Sequence, residues 1–528
     1  MEIIKKLKEI KHKNYYAAFL FFAIFWLAFL GFSGTLTSGY HLTDDHEIVR
    51  INNDLKTEST IAVAGKWMKN DQISTHRFRP LYFIHRVIET KIFSTNFTTW
   101  SVYTACLAIF TSFFLFCFLQ LLGFSLIESS LFPFLVLVGP QASIWWRLGP
   151  NETLGMFLMS VTLFFLGLIK ITAGKREKAF KVLFVAMATF MALSKESFLL
   201  LLPALILFSV YLSMLKNKFS LRDAIKKNLV SIGALSVVFA GCILYIKIFI
   251  GTGGTGYAGV YGFDLKSYVM AFLQLAKNVH ASIIVFMQVV LIVVFIWRIK
   301  ARNEKVEVLK EFIFPVALFL AILIPQVILY AKSGFFERYL VPAALAYALA
   351  VVYLFGQIKK GNKIIWSGML ILTALFIMGD ARSTFSGAQD FAQEGRNIGN
   401  ISSIIKSETS REDNFLIVGE PAANTEWTDS INYYIRYELD RKSLYVYPVY
   451  KKASYSDFEK QLIMGFGSAY GKNRYENNTD KTFNVIILFP KMEKTFLSNF
   501  PDKELLGSDA FVRKSFDGYV IYYKNKTE

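Results

Sequence analysis

The chain has 528 residues, of which 54% are hydrophobic and 51 are phenylalanine, a composition that excludes an ordinary soluble domain. Its formal net charge of +18 would suit a nucleic-acid partner only if it were spread over a polar surface. It is not: residues 380–528 carry 20 Lys/Arg against 21 Asp/Glu, whereas the apolar first 379 residues carry 38 against 19.

In chain order, eleven apolar runs are predicted to cross a ~30 Å hydrocarbon layer, at residues 15–34, 97–122, 127–145, 151–170, 180–194, 197–214, 228–250, 279–297, 312–331, 339–356 and 364–379. The pair 180–194 and 197–214 is short enough to be one broken or tilted element. The N-terminal lysines and the run behind them imitate a secretory signal. However, that run is too long, and no small-residue cleavage site follows, so it is read as a transmembrane helix. Cys106, Cys117 and Cys242 each lie inside an apolar run and give neither a disulfide framework nor a metal spacing.

Basic residues test the span count, because they are retained on the cytoplasmic side of a bilayer. With a cytoplasmic N-terminus, the inner connections 1–14, 171–179, 215–227, 298–311 and 357–363, with their flanking helix ends, hold 5, 5, 5, 5 and 3 Lys/Arg. The short outer connections hold far fewer, namely Arg147, Lys195, Lys266, Lys277, Lys332 and Arg338. The turn near Ser125 carries no basic residue and tests nothing. The expectation is a multi-pass protein of the plasma or inner membrane, with a transmembrane domain over 1–379 and a soluble extracytoplasmic domain over 380–528.

This orientation places every polar cluster that is not a topology anchor on the outer side. The first outer loop, 35–96, opens with Thr43-Asp44-Asp45-His46-Glu47, a costly concentration of charge beside hydrocarbon. One of the aspartates suits an acceptor-hydroxyl base, with its neighbour orienting it or holding a divalent cation such as Mg or Mn; an N-cap is the plainer alternative. His46 reads as a surface histidine, with no partner set for zinc. Arg77 and Arg79 flank Phe78 and, on an extended segment, point the same way toward a phosphate or a lipid headgroup. Leu81–Phe93 reads as an interfacial helix with Phe83, Ile84, Val87 and Ile88 on one side and Pro80 in its first turn.

Trp145-Trp146-Arg147 closes a span with an aromatic belt, and Arg147 and Glu152 then flank Gly149-Pro150-Asn151, either as a local ion pair or as part of a site. Lys195-Glu196 interrupts two apolar runs almost without a loop. Glu337-Arg338 opens a later span, with a mutual pair or a phosphate contact as the alternatives. The 251–262 stretch is glycine-rich but lacks the context of a phosphate-binding loop, so it reads as a flexible linker or lid. Beyond residue 380 the pattern changes to strands at Phe415–Gly419, Leu444–Val449, Asn484–Phe489, Ala510–Phe516 and Tyr519–Tyr523, with helices at Ser430–Leu439 and Ser456–Ile463 and a hairpin turn at Asp517-Gly518. Strands alternating with helices predict a small α/β domain.

Asp44-Asp45, Arg79-Pro80-Leu81, Gly149-Pro150-Asn151-Glu152 and Lys195-Glu196, in this order and on one side, resemble the GT-C class of polytopic, lipid-sugar-dependent glycosyltransferases. The Asp-Asp, Arg-Pro-Leu and Lys-Glu elements are similar to those of the tetratricopeptide-bearing protein O-mannosyltransferases. Glu337-Arg338-Tyr339-Leu340 with Pro342 is similar to an Arg-Tyr stretch in related lipid-sugar transferases. The resemblance implies a GT-C-like helical membrane fold and inverting transfer of a sugar from a polyprenyl-phosphate donor to an acceptor hydroxyl on the outer face. Asp44 or Asp45 would be the general base, and Arg79, Lys195 and Arg338 would hold the departing phosphate. Glu47, Arg77, Arg147, Glu152 and Glu196 complete the expected substrate-binding set. No helical repeats follow the membrane part, so the acceptor, whether glycan, lipid or protein, stays open. A lipid-substrate flippase is disfavoured by the near absence of mid-span charge. A non-enzymatic assembly subunit is the other alternative.

Overall fold

The computed structural model describes residues 12–217, 220–251, 265–278, 305–331, 337–361 and 363–450, together with most of 460–525. The expected span at 279–297, the glycine-rich stretch from 252 onward and most of the expected helix at 456–463 lie outside the described residues.

The membrane part begins with α1 (His12–Ser33). The first loop then folds into three helices, α2 (His46–Asp54), α3 (Thr60–Ser74) and α4 (Pro80–Phe93). The next helices are α5 (Phe97–Leu122), α6 (Leu126–Leu137), α7 (Glu152–Ile171) and α8 (Gly174–Ser194). They are followed by α9 (Leu202–Asn217), α10 (Leu221–Tyr245), α11 (Leu265–Asn278), α12 (Lys305–Tyr330) and α13 (Val341–Gly361). Among the described residues, seven stretches are long and apolar enough to cross a bilayer: Lys13–Ser33, Phe97–Leu122, Glu152–Ile171, Glu196–Lys216, Leu221–Ile250, Glu337–Lys359 and Lys363–Glu408. Leu126–Leu137 and Val316–Tyr330 are apolar but shorter. The run expected at 127–145 is therefore not one continuous helix. Gly139, at φ +124°, turns the chain out of α6 into a 3-10 turn over Pro140–Trp145. Exposed Val230, Val237, Phe249 and Ile371 show that several of these helices present apolar faces outward, as lipid-facing helices do.

Local sequence sets the boundaries. Ser125 and Glu128 form a reciprocal capping box at the start of α6, and Asn96 caps α5 by accepting from the Thr99 N–H at 3.1 Å. Close helix approach depends on small residues: a Cβ at Gly155 on α7 would lie 2.3 Å from the Phe198 ring. Lys195 is extended (φ −166°, ψ 151°), so the chain breaks between α8 and the short helix Glu196–Leu199. Pro80 occupies the first turn of α4 as expected. The apolar face expected there is divided, however. Phe83 and Val87 are buried with Val63 and Trp67, whereas Ile84 and Ile88 are exposed.

The last membrane helix, α14 (Lys363–Glu408), is 46 residues long and about 69 Å at 1.5 Å per residue, more than twice a hydrocarbon core. It runs straight through the expected boundary at 380. Its final turns bury Ile398, Ile401, Ile404 and Ile405 in the core of the C-terminal domain. Among the described residues that domain holds a five-stranded sheet of β1 (Phe415–Gly419), β2 (Leu444–Pro448), β3 (Val485–Leu488), β4 (Phe511–Phe516) and β5 (Tyr519–Lys524), in the order β2-β1-β3-β5-β4. Strand β1 runs parallel to β2 and β3, while β5 is antiparallel to β3 and β4. All five expected strands are present. Asp517 and Gly518 both have positive φ, as a two-residue hairpin turn requires. The fold is thus a helical polytopic membrane protein with a C-terminal α/β domain.

Helix α15 (Thr425–Tyr437) docks this domain on the first loop. Tyr40 stacks on Tyr434 with centroids 4.2 Å apart and reaches Ser430 Oγ at 2.5 Å, and Arg50 lies over the Tyr433 ring.

Candidate functional site

Asp44 is held in the left-handed region at φ +67°, a conformation that aspartate tolerates better than most residues. Its side chain lies against Gly149, where a Cβ would fall 1.9 Å from the Asp44 Cβ. Only glycine permits that approach. Arg86 clamps the same turn: it is buried in α4 and donates from Nη2 to the Leu148 and Gly149 carbonyls at 2.5 and 3.0 Å.

The Asp44 carboxylate meets Arg338, with Nη1 2.5 Å from Oδ2. Burial by itself would raise this carboxyl, but the charges of Arg338, His46 and Arg147 outweigh it and hold the group below the usual carboxylate range. Arg147 is within electrostatic reach of this carboxylate, with its guanidinium carbon 5.4 Å from the Phe391 ring centroid. Its Nε is buried without a hydrogen-bond partner among the described residues. A second carboxylate comes from the C-terminal domain: the Asp44 N–H donates to Glu426 Oε1 at 3.0 Å. Burial, and then the Asp44 charge, push Glu426 up to about 7.

Asp45 behaves differently. It is fully buried at the N-cap position of α2, yet its side chain does not cap the helix. It accepts from the His41 N–H at 3.0 Å, and His41 stacks on Phe391 of α14 at 3.8 Å. Gly395 makes room for this, since a Cβ there would sit 2.5 Å from both His41 Nε2 and the Ser38 carbonyl oxygen. The two neighbouring aspartates thus diverge, Asp44 toward Arg338 and Asp45 into the loop. Glu47 accepts from the Tyr82 hydroxyl at 2.6 Å.

The remaining expected residues divide into two groups. Lys195 and Glu152 form a fully buried ion pair, with Lys195 Nζ also 4.1 Å from the Tyr339 ring centroid. Glu152 thus pairs with Lys195. Arg338 lies within electrostatic reach of both members of the pair, and Arg77 within reach of Lys195. Arg77 is 3.6 Å from Glu196, whose other oxygen accepts from the Phe78 N–H at 2.5 Å. Arg79 is drawn elsewhere, into a bidentate pair with Asp71 at 2.7 and 2.8 Å, and its guanidinium stacks over Tyr82 and Phe83. Arg77 and Arg79 therefore do not converge on one spot as an extended segment would have them do. Each has its own carboxylate.

The structure therefore gathers Asp44, Arg147, Arg338, Glu152, Lys195 and Arg77 where the helix ends meet the first loop. Among the described residues, no group of three or more His, Cys, Asp or Glu side chains is arranged to hold a metal ion. The Asp44 carboxylate faces a guanidinium, a poor setting for a cation. Two contributors were not expected from the sequence. Arg86 left a trace, a charge among the buried positions of α4. Glu426 left none, because an acid in the first turn of a soluble helix is commonplace.

No family model matches the chain, and no curated protein matches it. Among solved structures, its fold is similar to that of ArnT from Cupriavidus metallidurans bound to undecaprenyl phosphate. The TM-score is 0.50 at 12% sequence identity, covering 96% of this chain and 98% of that one. At this identity the likeness is one of fold, that of a polytopic helical membrane protein.

Two outcomes follow from the geometry. Gly149→Ala should leave the chain folded and inserted but displace Asp44 from Arg338, so that in a double-mutant cycle of melting temperatures Asp44→Asn costs stability in the native background and little more in the Gly149→Ala background. For Glu426, the folded pKa lies above that of a free glutamate, so the folded state holds more protons between roughly pH 4.5 and 7 and stability falls as pH rises through that window. Thermal melts at about pH 5 and about pH 8 should show this loss, and Glu426→Gln should remove it.

Proposed function

We propose that this protein is a membrane glycosyltransferase that moves a sugar from a polyprenyl-phosphate donor to an acceptor hydroxyl at the outer membrane face, with inversion. The observation that carries the reading is the pairing of Asp44 with Arg338 beside the unpartnered Nε of Arg147, at one end of a helical bundle. The fold likeness supports it, because that solved neighbour holds undecaprenyl phosphate.

In this reading, guanidinium groups of Arg147 and Arg338 engage the donor phosphate oxygens, where two-pronged hydrogen bonding suits the geometry. The acceptor oxygen attacks the anomeric carbon, the bond from that carbon to the phosphate oxygen breaks, and polyprenyl phosphate leaves with the electron pair. Preplaced cations stabilise the charge that develops on the departing oxygen. Asp44 takes the acceptor proton. Its carboxylate is a weak base while Arg338 neutralises it. A phosphate that competes for Arg338 loosens that pair and makes the carboxylate more basic as the donor binds. The buried Lys195–Glu152 pair and Glu196 fix the segment carrying Arg77 and need not touch substrate.

The alternation of basic connections supports the placement of this end, and of the C-terminal domain, on the extracytoplasmic side. The ionisable groups cluster at helix ends rather than near the bilayer midplane, which favours transfer over transport.

Asp44→Asn, assayed in liposomes with a polyprenyl-phosphate sugar, should lower transfer by about 100-fold or more while insertion is unchanged. Full activity in this variant would remove Asp44 as the base. A cysteine placed at Ser407 should react with an impermeant maleimide added from outside intact cells, and protection there would reverse the orientation.

A further inference from the structure

At the opposite end of the bundle lies a cavity of about 930 Å³ that the transfer reading does not use. It is walled by Leu119, Phe208, Leu212, Phe319, Ile322 and Leu349, contributed by α5, α9, α12 and α13. From Glu152 at the acid–arginine end to Lys170 at the cavity, α7 rises about 27 Å, so the two places lie on opposite sides of a hydrocarbon layer. A volume near the upper end of ordinary ligand sites, lined mainly by apolar side chains, suits hydrocarbon chains.

Its polar groups are unequal in sign. Glu128, Lys170, Lys359 and Lys363 all border the cavity. The Glu128 carboxylate is already satisfied, accepting from the Ser125 N–H at 2.8 Å and the Trp366 indole at 2.9 Å, with Lys359 Nζ 3.8 Å away. Lys170 has no carboxylate partner among the described residues. Its ammonium donates to the Leu122 carbonyl at 2.7 Å, the exposed C-terminal end of α5. An ammonium offers three donors, so this one contact leaves two for another acceptor. A half-buried cation facing an apolar cavity is costly unless an anion meets it.

We propose that this cavity binds one anionic phospholipid, with its acyl chains among the apolar residues and its phosphate on Lys170, assisted by Lys359 and Lys363. Charge complementarity selects this occupant. A zwitterionic lipid offers a phosphate but adds an ammonium to a rim that already carries three lysines. A polyprenyl tail from the donor would fill the volume without using Lys170. In the orientation proposed above the site lies in the cytoplasmic leaflet, but the lipid selectivity does not depend on that orientation or on the transfer activity.

The full-length protein in detergent, stripped of lipid, is titrated with dioleoyl phosphatidylglycerol or dioleoyl phosphatidylcholine, and binding is read by native mass spectrometry and by the shift in melting temperature. Phosphatidylglycerol should bind with one saturating equivalent and raise the melting temperature, and phosphatidylcholine should do neither. Lys170→Met should weaken phosphatidylglycerol binding by roughly tenfold, the loss of one charge-assisted contact, while Lys170→Arg restores it. Lys170→Met also leaves the Leu122 carbonyl without its donor. If that lowers the lipid-free melting temperature, the lipid-induced shift, measured from each variant's own baseline, still decides. Equal binding of the two lipids, undiminished phosphatidylglycerol binding by Lys170→Met, or polyprenyl phosphate as the mass of the tightly retained species would each overturn the proposal.

Discussion

The pairing of Asp44 with Arg338 joins residues 294 positions apart, and most of the site's architecture serves to make that contact possible. A carboxylate beside hydrocarbon needs a cation, and a cation there needs a carboxylate, because neither is well solvated. The left-handed turn at Asp44, the absent side chain at Gly149 and the Arg86 clamp on that turn all answer to this requirement. The pair also sets the electrostatics around it. With Asp44 ionised, the neighbouring Glu426 cannot easily ionise as well, and the two acids separate in proton affinity much as closely spaced carboxylates do elsewhere.

Around this contact the structure distributes its other charges by local neutralisation. Glu152 takes Lys195, Asp71 takes Arg79, and Glu196 takes the Arg77-Phe78 backbone and guanidinium. Such pairs add little net stability relative to apolar packing, but losing one member leaves a buried charge unpaired. Their effect is to fix positions. The Lys195–Glu152 pair ties the start of α7 to the break after α8, and the Arg79–Asp71 pair ties α3 to α4. Among the described residues, Arg147 at this end keeps a buried Nε without a partner, as Arg77 and Arg86 do, and at the other end Lys170 keeps donors beyond its one carbonyl contact. A lipid phosphate is the ligand proposed for Arg147 and for Lys170.

The C-terminal domain is part of the same arrangement rather than an appendage. A single helix of 46 residues leaves the membrane part and enters the domain core, while Tyr40 and Arg50 bind the domain's first long helix. Glu426 therefore reaches Asp44 from a fixed platform. The stacking of His41 on Phe391 adds a third connection, and Gly395 permits it.

Patterns of short range or of strict period were legible in the sequence. Seven of the eleven expected apolar runs, the five strands, the Asp517-Gly518 turn and Pro80 at a helix start each follow from local conformational preference or from burial, and the described residues reproduce them. The residue types of the site were legible too, since charges beside apolar runs are too costly to be incidental. Their pairing was not. Nothing local says that Arg79 would turn to Asp71 while Arg338 turned to Asp44, or that two adjacent aspartates would face opposite ways. The first depends on helix packing over hundreds of residues, and the second on one backbone angle that Gly149 allows. Glu426 marks the clearest limit. Its residue type and position are ordinary for a soluble helix, and only the docking of one domain on another makes it a neighbour of Asp44. Sequence determined what each segment would be and which charges had to be compensated, and tertiary structure alone decided which charge compensated which.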